Sequence, residues 1–121
     1  MKEYYPLTAA QKLHYNWMKT YKTQQVSGVS VVASLQAPLD FGLLKKCIQL
    51  EFERYGCMRI RFTKSDKEGE IKQYLAAKET RDIPIKDLSG MSMAEADNLM
   101  QQWAYETFKG DDIPLCDVTM V

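Results

Sequence analysis

Met58-Arg59-Ile60-Arg61-Phe62-Thr63, then Ser65-Asp66-Lys67-Glu68-Gly69, then Ile71 to Ala76, is the stretch on which the fold turns. In the first run Met58, Ile60 and Phe62 alternate with Arg59, Arg61 and Thr63. A period of two places alternate side chains on opposite faces of a strand. The polar, glycine-ended segment is a turn, and Ile71 to Ala76 is the returning strand of a hairpin.

Upstream, Asp40 is an N-cap, with Leu39 and Leu44 spaced as a hydrophobic staple. Leu44, Cys47, Ile48, Phe52 and Tyr55 then share a helical face, and Gly56 suits a left-handed helix stop. Val26 to Gln36 is β-branched and alternating: Val29, Val31, Ala33 and Leu35 point one way, Ser30, Ser34 and Gln36 the other. This predicts a strand ended by Pro38. Thr8-Ala9-Ala10-Gln11 has capping-box form and opens a helix that fades near Lys22. Its apolar stripe is Ala10, Leu13, His14, Trp17, Met18 and Tyr21.

Downstream, Lys78 to Gly90 is a connector containing Pro84. Ser92-Met93-Ala94-Glu95 is a second capping box, followed by a helix with Met93, Ala96, Met100, Trp103 and Ala104 on one side. Lys109-Gly110-Asp111-Asp112 breaks that helix, and Leu115 to Val121 reads as a strand. After the first helix the order is β-α-β-β-α-β. The expected class is therefore α+β: a split βαβ, ferredoxin-like antiparallel sheet with helices on one face, preceded by one helix.

The chain has 121 residues, room for one domain, with 45% apolar and 26% charged residues, an ordinary globular balance. Sixteen basic residues match sixteen acidic ones, which gives no electrostatic case for nucleic acid or an anionic membrane. No run approaches ~18 apolar residues, and the start has no signal-peptide core. The three cysteines, Cys47, Cys57 and Cys116, form no C-x-x-C pair and fit a reduced, partly buried state in a cytoplasmic protein.

No phosphate-binding glycine motif and no G-x-S-x-G occurs. His14 is the only histidine, so a His-rich metal site cannot form. Ser-His or Cys-His catalysis would have to run through it; the alternative is a packed histidine on the apolar stripe. Asp111-Asp112 is either a solvated turn or half of a metal site, which would need more donors. Asp66, Glu68 and Glu70 belong to the polar skin of the hairpin. Arg59 and Arg61 share one strand face. They either meet solvent, or one pairs with a carboxylate in a polar interior.

Pro6-Leu7-Thr8-Ala9-Ala10-Gln11 resembles the opening motif of nonribosomal peptide synthetase condensation domains, a small hydroxyl residue, x, then Ala-Gln. Arg54-Tyr55-Gly56-Cys57-Met58-Arg59-Ile60-Arg61-Phe62 resembles the second motif, R-H-E-x-L-R-T-x-F. Arg54, Arg59 and Phe62 match it, whereas Tyr55, Gly56 and Ile60 depart from it. Leu39-Asp40-Phe41-Gly42-Leu43-Leu44 is similar to the L-D-x-x-x-L helix start. Phe108 to Leu115 is similar to P-F-D-L-x-x-x-P-L.

The resemblance implies the N-terminal portion of a chloramphenicol-acetyltransferase-like half, with residues 1–121 forming one partial domain. It implies a parent that joins an acyl or peptidyl thioester to an amine or alcohol. The substrates arrive on the phosphopantetheine of a carrier protein, with no cofactor bound directly. The family hallmark H-H-x-x-x-D-G does not occur in these 121 residues, so the chain alone is expected to be inert, with no catalytic residue of its own. Arg59 aligns with the arginine that pairs with the Asp of that hallmark. Thr8 and Gln11 align with a mainly structural motif, and Arg54 with the first arginine of the second motif. The remainder of the domain and the carrier protein are the implied partners.

A competing reading is a stand-alone ferredoxin-like interaction domain without activity. It would bind or self-associate through a sheet face or the edge strand Leu115–Val121. A third is a small enzyme built around His14.

Overall fold

The computed structural model describes residues 2–21, 29–64, 69–106 and 110–121. In chain order the elements are β1 (Tyr4–Pro6), α1 (Ala9–Thr20), α2 (Phe41–Arg54), a 3-10 helix (Gly56–Arg59), β2 (Ile60–Lys64), β3 (Ile71–Leu75) and α3 (Met93–Glu106). The class is α+β with an antiparallel sheet, as the alternation and helical spacings imply.

The hairpin forms, with Ile60 opposite Leu75 and Lys64 opposite Ile71. Gly69 carries a φ of 66° at its turn, a conformation glycine adopts without steric cost. Residues 65–68 of the predicted turn lie outside the described residues. β2 begins at Ile60 because Met58 and Arg59 are wound into the 3-10 helix. Gly56 opens that helix and is not left-handed; the chain needs no αL stop where it turns directly into another helical turn.

The sheet order is β1-β3-β2, so an N-terminal strand absent from the sequence reading fills one edge. Tyr4 lies opposite Tyr74, their rings edge to face at 5.7 Å. Of the predicted strand Val26–Gln36, residues 26–28 lie outside the description, and residues 29–36 enter no ladder. A strand exists only where a second edge satisfies its N–H and C=O groups, and no described segment lies alongside. The predicted strand Leu115–Val121 shrinks to one parallel bridge, Met120 with Ile85, for the same reason. Its hydrogen bonds are Lys86 N–H to the Met120 carbonyl (2.9 Å) and Met120 N–H to the Pro84 carbonyl (3.0 Å). Among the described residues the split βαβ sheet is thus present only through its central hairpin.

The core gathers Phe52 of α2, Ile83 of the connector and Met120 near the C-terminus. Leu44, Ile48, Met58, Cys116 and Val118 pack against it. Leu44, Ile48 and Phe52 confirm the predicted α2 face, while Cys47 and Tyr55 from the same set are exposed. Asp40 caps α2 through its side chain to the Leu43 N–H, 2.9 Å.

α1 departs from its predicted orientation. Leu13, Trp17 and Tyr21 are exposed, and Tyr15 is the buried residue. Polar anchoring sets this rotation. Tyr15 packs edge-on against Phe62 of β2, and its hydroxyl donates to Asp111 at 3.2 Å. Gln11, one turn earlier, bonds to the sheet as described below. His14 sits outside the core, exposed and edge-on to Trp17 at 5.5 Å.

Candidate functional site

β3 seats two of the sequence motifs. At one end, Thr8 and Gln11 close the capping box: the Gln11 N–H donates to Thr8 Oγ1 (3.2 Å), and the Thr8 N–H donates to Gln11 Oε1 (2.8 Å). The Gln11 side-chain amide also donates to Gln73 Oε1 of β3 at 2.8 Å. Gln73 in turn donates to the Pro6 carbonyl at 3.0 Å. One glutamine therefore starts α1, ties it to the sheet and, through Gln73, holds β1 in place. Gln73 escaped the sequence reading. Its signal is a polar residue alternating with Ile71 and Leu75, on the sheet face it shares with its cross-strand partner Phe62.

At the other end, Arg59 leaves the 3-10 helix and donates from Nη1 to the Ala76 carbonyl at 2.6 Å. The Ala76 N–H returns a bond to the Arg59 carbonyl at 2.9 Å. The Arg59 Nε is buried and makes no hydrogen bond among the described residues. A buried donor left unpaired costs about 1–3 kcal/mol, so this N–H is a polar contact in reserve. Arg54 is not part of this group. It ends α2 exposed, 5.5 Å from the centre of the Tyr55 ring.

Arg59 and Arg61 do not share a strand face, because Arg59 precedes β2. Arg61 is the interior guanidinium: its side chain is 4% exposed and pairs with Glu79 at 2.5 Å. A charge-assisted contact of this kind offsets the cost of taking the guanidinium out of water. Glu79 is held from behind by Gln49 of α2, whose amide donates to the Glu79 carbonyl (2.9 Å) and accepts from the Arg81 N–H (2.9 Å). Arg81 lies over the Phe52 ring at 4.2 Å and donates to the Cys116 carbonyl at 2.8 Å. The Cys116 thiol meets the Met58 carbonyl at 3.4 Å.

Asp111 and Asp112 form a polar clasp. Asp111 accepts from Tyr15 and lies 3.4 Å from Lys64. Asp112 adopts a φ of 62°, which Asp tolerates better than most residues. Its N–H donates to the Phe62 carbonyl at 2.7 Å, and its carboxylate accepts from Thr63 at 3.0 Å. Burial, with Asp112 nearby, pushes the Tyr74 hydroxyl above its ordinary pKa. Among the described residues no cluster of His, Cys, Asp and Glu could hold a metal ion. No helix among them is long and apolar enough to cross a membrane. A shallow depression of about 230 Å³ lies between α1 and the end of the hairpin, lined by Leu7, Lys12, Tyr15, Asn16 and residues 69–71.

The family model for the Condensation domain matches residues 1–121. The chain belongs to the condensation domain family. Surfactin synthase subunit 1 of Bacillus subtilis (strain 168) is 31% identical over 116 residues, covering 94% of this chain. The chain spans about 3% of that relative's length. As a condensation-family sequence, the chain carries its opening motif as the Thr8–Gln11 cap on β3. Its second motif becomes the turn that delivers Arg59 to the other end of the same strand. Phe108 and Lys109, which open the last motif, lie outside the described residues; Asp111 and Asp112 of the same stretch clasp α1 and β2.

Proposed function

We propose that this chain is the N-terminal portion of a condensation-type acyltransferase. In the parent, an amine or alcohol attacks the carbonyl of a carrier-bound acyl or peptidyl thioester. The new C–N or C–O bond forms, the C–S bond breaks, and the proton ends on the released phosphopantetheine thiol. Orienting the nucleophile and stabilising the oxyanion are the tasks of such a site. The family match over the whole chain is the observation that carries this reading.

Within that reading, Arg59 is a positioning residue rather than a catalytic one. Its buried, unpaired Nε supports a role in holding a hydrogen-bond acceptor from another part of the domain. Thr8, Gln11 and Arg54 have scaffold roles. The carrier protein and the remaining domain are the partners. The 121 residues alone are inert because the H-H-x-x-x-D-G loop is not among them.

The test mixes the purified chain with an acyl-loaded carrier protein and an aminoacyl-loaded acceptor, and follows amide formation by mass spectrometry. No product above the uncatalysed rate is expected. Product formed by the 121-residue chain overturns the inert reading. Product that disappears in His14→Ala moves the chemistry to that residue.

A stand-alone interaction domain is the second reading, favoured by the largely exposed side chains of Val29, Val31, Val32 and Leu35. Tight, defined binding of a loaded carrier protein by this chain alone, without turnover, would favour it over the first.

A further inference from the structure

Arg59 is held by one residue from two sides. Its Nη1 donates to the Ala76 carbonyl at 2.6 Å, and the Ala76 N–H donates to the Arg59 carbonyl at 2.9 Å. A guanidinium is planar, so fixing Nη1 also fixes the plane in which the buried Nε–H lies. The direction of that N–H is therefore only as definite as the place of Ala76.

Ala76 lies one residue past the ladder, which ends at Leu75 opposite Ile60. Residues 76–79 belong to no helix or strand. The next fixed point is Glu79, and it is fastened twice. Its carboxylate pairs with the guanidinium of the buried Arg61 at 2.5 Å, and its backbone carbonyl accepts the side-chain amide of Gln49 at 2.9 Å. The neighbours of that amide allow it one orientation. The Arg81 N–H can only donate, so Gln49 Oε1 faces it at 2.9 Å. The Glu79 carbonyl can only accept, so Nε2 faces it, and Nε2 also donates to Glu53 Oε1 at 3.0 Å. Gln49 is thus a fixed post on α2 for the segment that carries Ala76.

Glu79 also sorts the two arginines by charge. Its carboxylate is taken by Arg61, the interior guanidinium. Arg59 Nε is left with no acceptor among the described residues.

We propose that Gln49 and Glu79 are positioning residues for Arg59: they pin residues 76–79, and through the Ala76 carbonyl they hold the Arg59 guanidinium in place with its Nε–H unpaired. A guanidinium already held needs no ordering when an acceptor arrives. That an acceptor from another part of the domain arrives there rests on the acyltransferase reading; the pinning itself does not.

Nitrogen-15 NMR of the arginine side chains tests the proposal on the 121-residue chain, without turnover. Loss of one signal in Arg59→Lys identifies the Arg59 Nε–H. Its exchange with solvent should be at least about tenfold slower than that of the exposed Arg54. Gln49→Met keeps the side chain's length without its amide, and Glu79→Ala removes the carboxylate. Each should speed Arg59 Nε–H exchange about fivefold to tenfold, the loosening that one lost hydrogen bond permits. Glu79→Gln keeps an acceptor for Arg61 and should restore most of the protection. Thr8→Ala weakens the opposite end of the sheet and should leave the Arg59 signal unmoved, whereas a general loss of stability would move it too. If Glu79→Ala does not fold, Gln49→Met carries the test. An Arg59 Nε–H that exchanges as fast as that of Arg54 overturns the proposal. So does a signal indifferent to Gln49→Met, or one moved as far by Thr8→Ala. Product formed in the transfer assay would overturn the inert reading and leave each of these outcomes unchanged.

Discussion

Residues 29–36 and the Phe52–Ile83–Met120 nucleus are both apolar, yet their fates are opposite. Phe52, Ile83 and Met120 are 2%, 1% and 6% exposed, whereas Val29 and Val31 are almost fully open to water. The nucleus is drawn from three remote segments that converge. Two of them meet backbone to backbone at the Ile85–Met120 bridge. Arg81 seals the third by covering the Phe52 ring and bonding to Cys116. Residues 29–36 have the composition for burial and no described neighbour to bury against. Hydropathy supplies a demand for burial; convergence of other segments meets it.

That contrast can be broken or sharpened by substitution. Phe52→Ala has the largest expected effect, a loss of about 3–5 kcal/mol, because the cavity is lined from three sides. Urea unfolding measures it, and a cost below about 1 kcal/mol would mean the nucleus is no better packed than the surface. Glu79→Ala comes next, at about 1–3 kcal/mol, because it strands the buried Arg61 guanidinium. An Arg61→Met, Glu79→Ala double variant should recover part of that loss in the same assay. Thr8→Ala removes the α1 cap and should cost about 1 kcal/mol. Val31→Ser, in dilute solution, should change stability by less than about 0.5 kcal/mol, since its side chain is already in water. Equal costs for Val31→Ser and Phe52→Ala would abolish the comparison.

The smallest effect is electrostatic. Glu95 accepts the Ser92 backbone N–H at 2.8 Å and the Ser92 hydroxyl at 2.7 Å, which hold its carboxyl below the ordinary range. A depressed folded pKa favours the folded state above the unfolded value, about 4.3, and that contribution is lost as pH falls through the lowered value. Helical circular dichroism should therefore show α3 loosening in acid, and Glu95→Gln should flatten this part of the pH profile.

Much of the local structure was legible in the residues. Both capping boxes form as written, Thr8 with Gln11 and Ser92 with Glu95. The Asp40 cap, the hairpin and the Leu44–Ile48–Phe52 face also appear. These features need only neighbours within a few residues, or a single partner strand. The family was legible too, since its motifs are local strings. The inward face of α1 was not. Its apolar stripe points away from the sheet because Gln11 and Tyr15 find specific polar partners in Gln73 and Asp111. The division of labour between Arg59 and Arg61 was equally hidden, because the 3-10 helix shifts the start of β2 past Arg59.

Helix starts, turn positions and the family follow from short-range chemistry, in which a side chain satisfies a backbone group three residues away or alternates with its neighbour. Which apolar residues are buried, which arginine turns inward and whether a β-prone run becomes a strand depend on partners far off in the chain. Glu79, Gln73 and Met120 lie 18, 62 and 35 residues from the groups they serve, Arg61, Gln11 and Ile85. No window of the chain contains both halves of such a pair, and their free energy exists only once folding has brought them together.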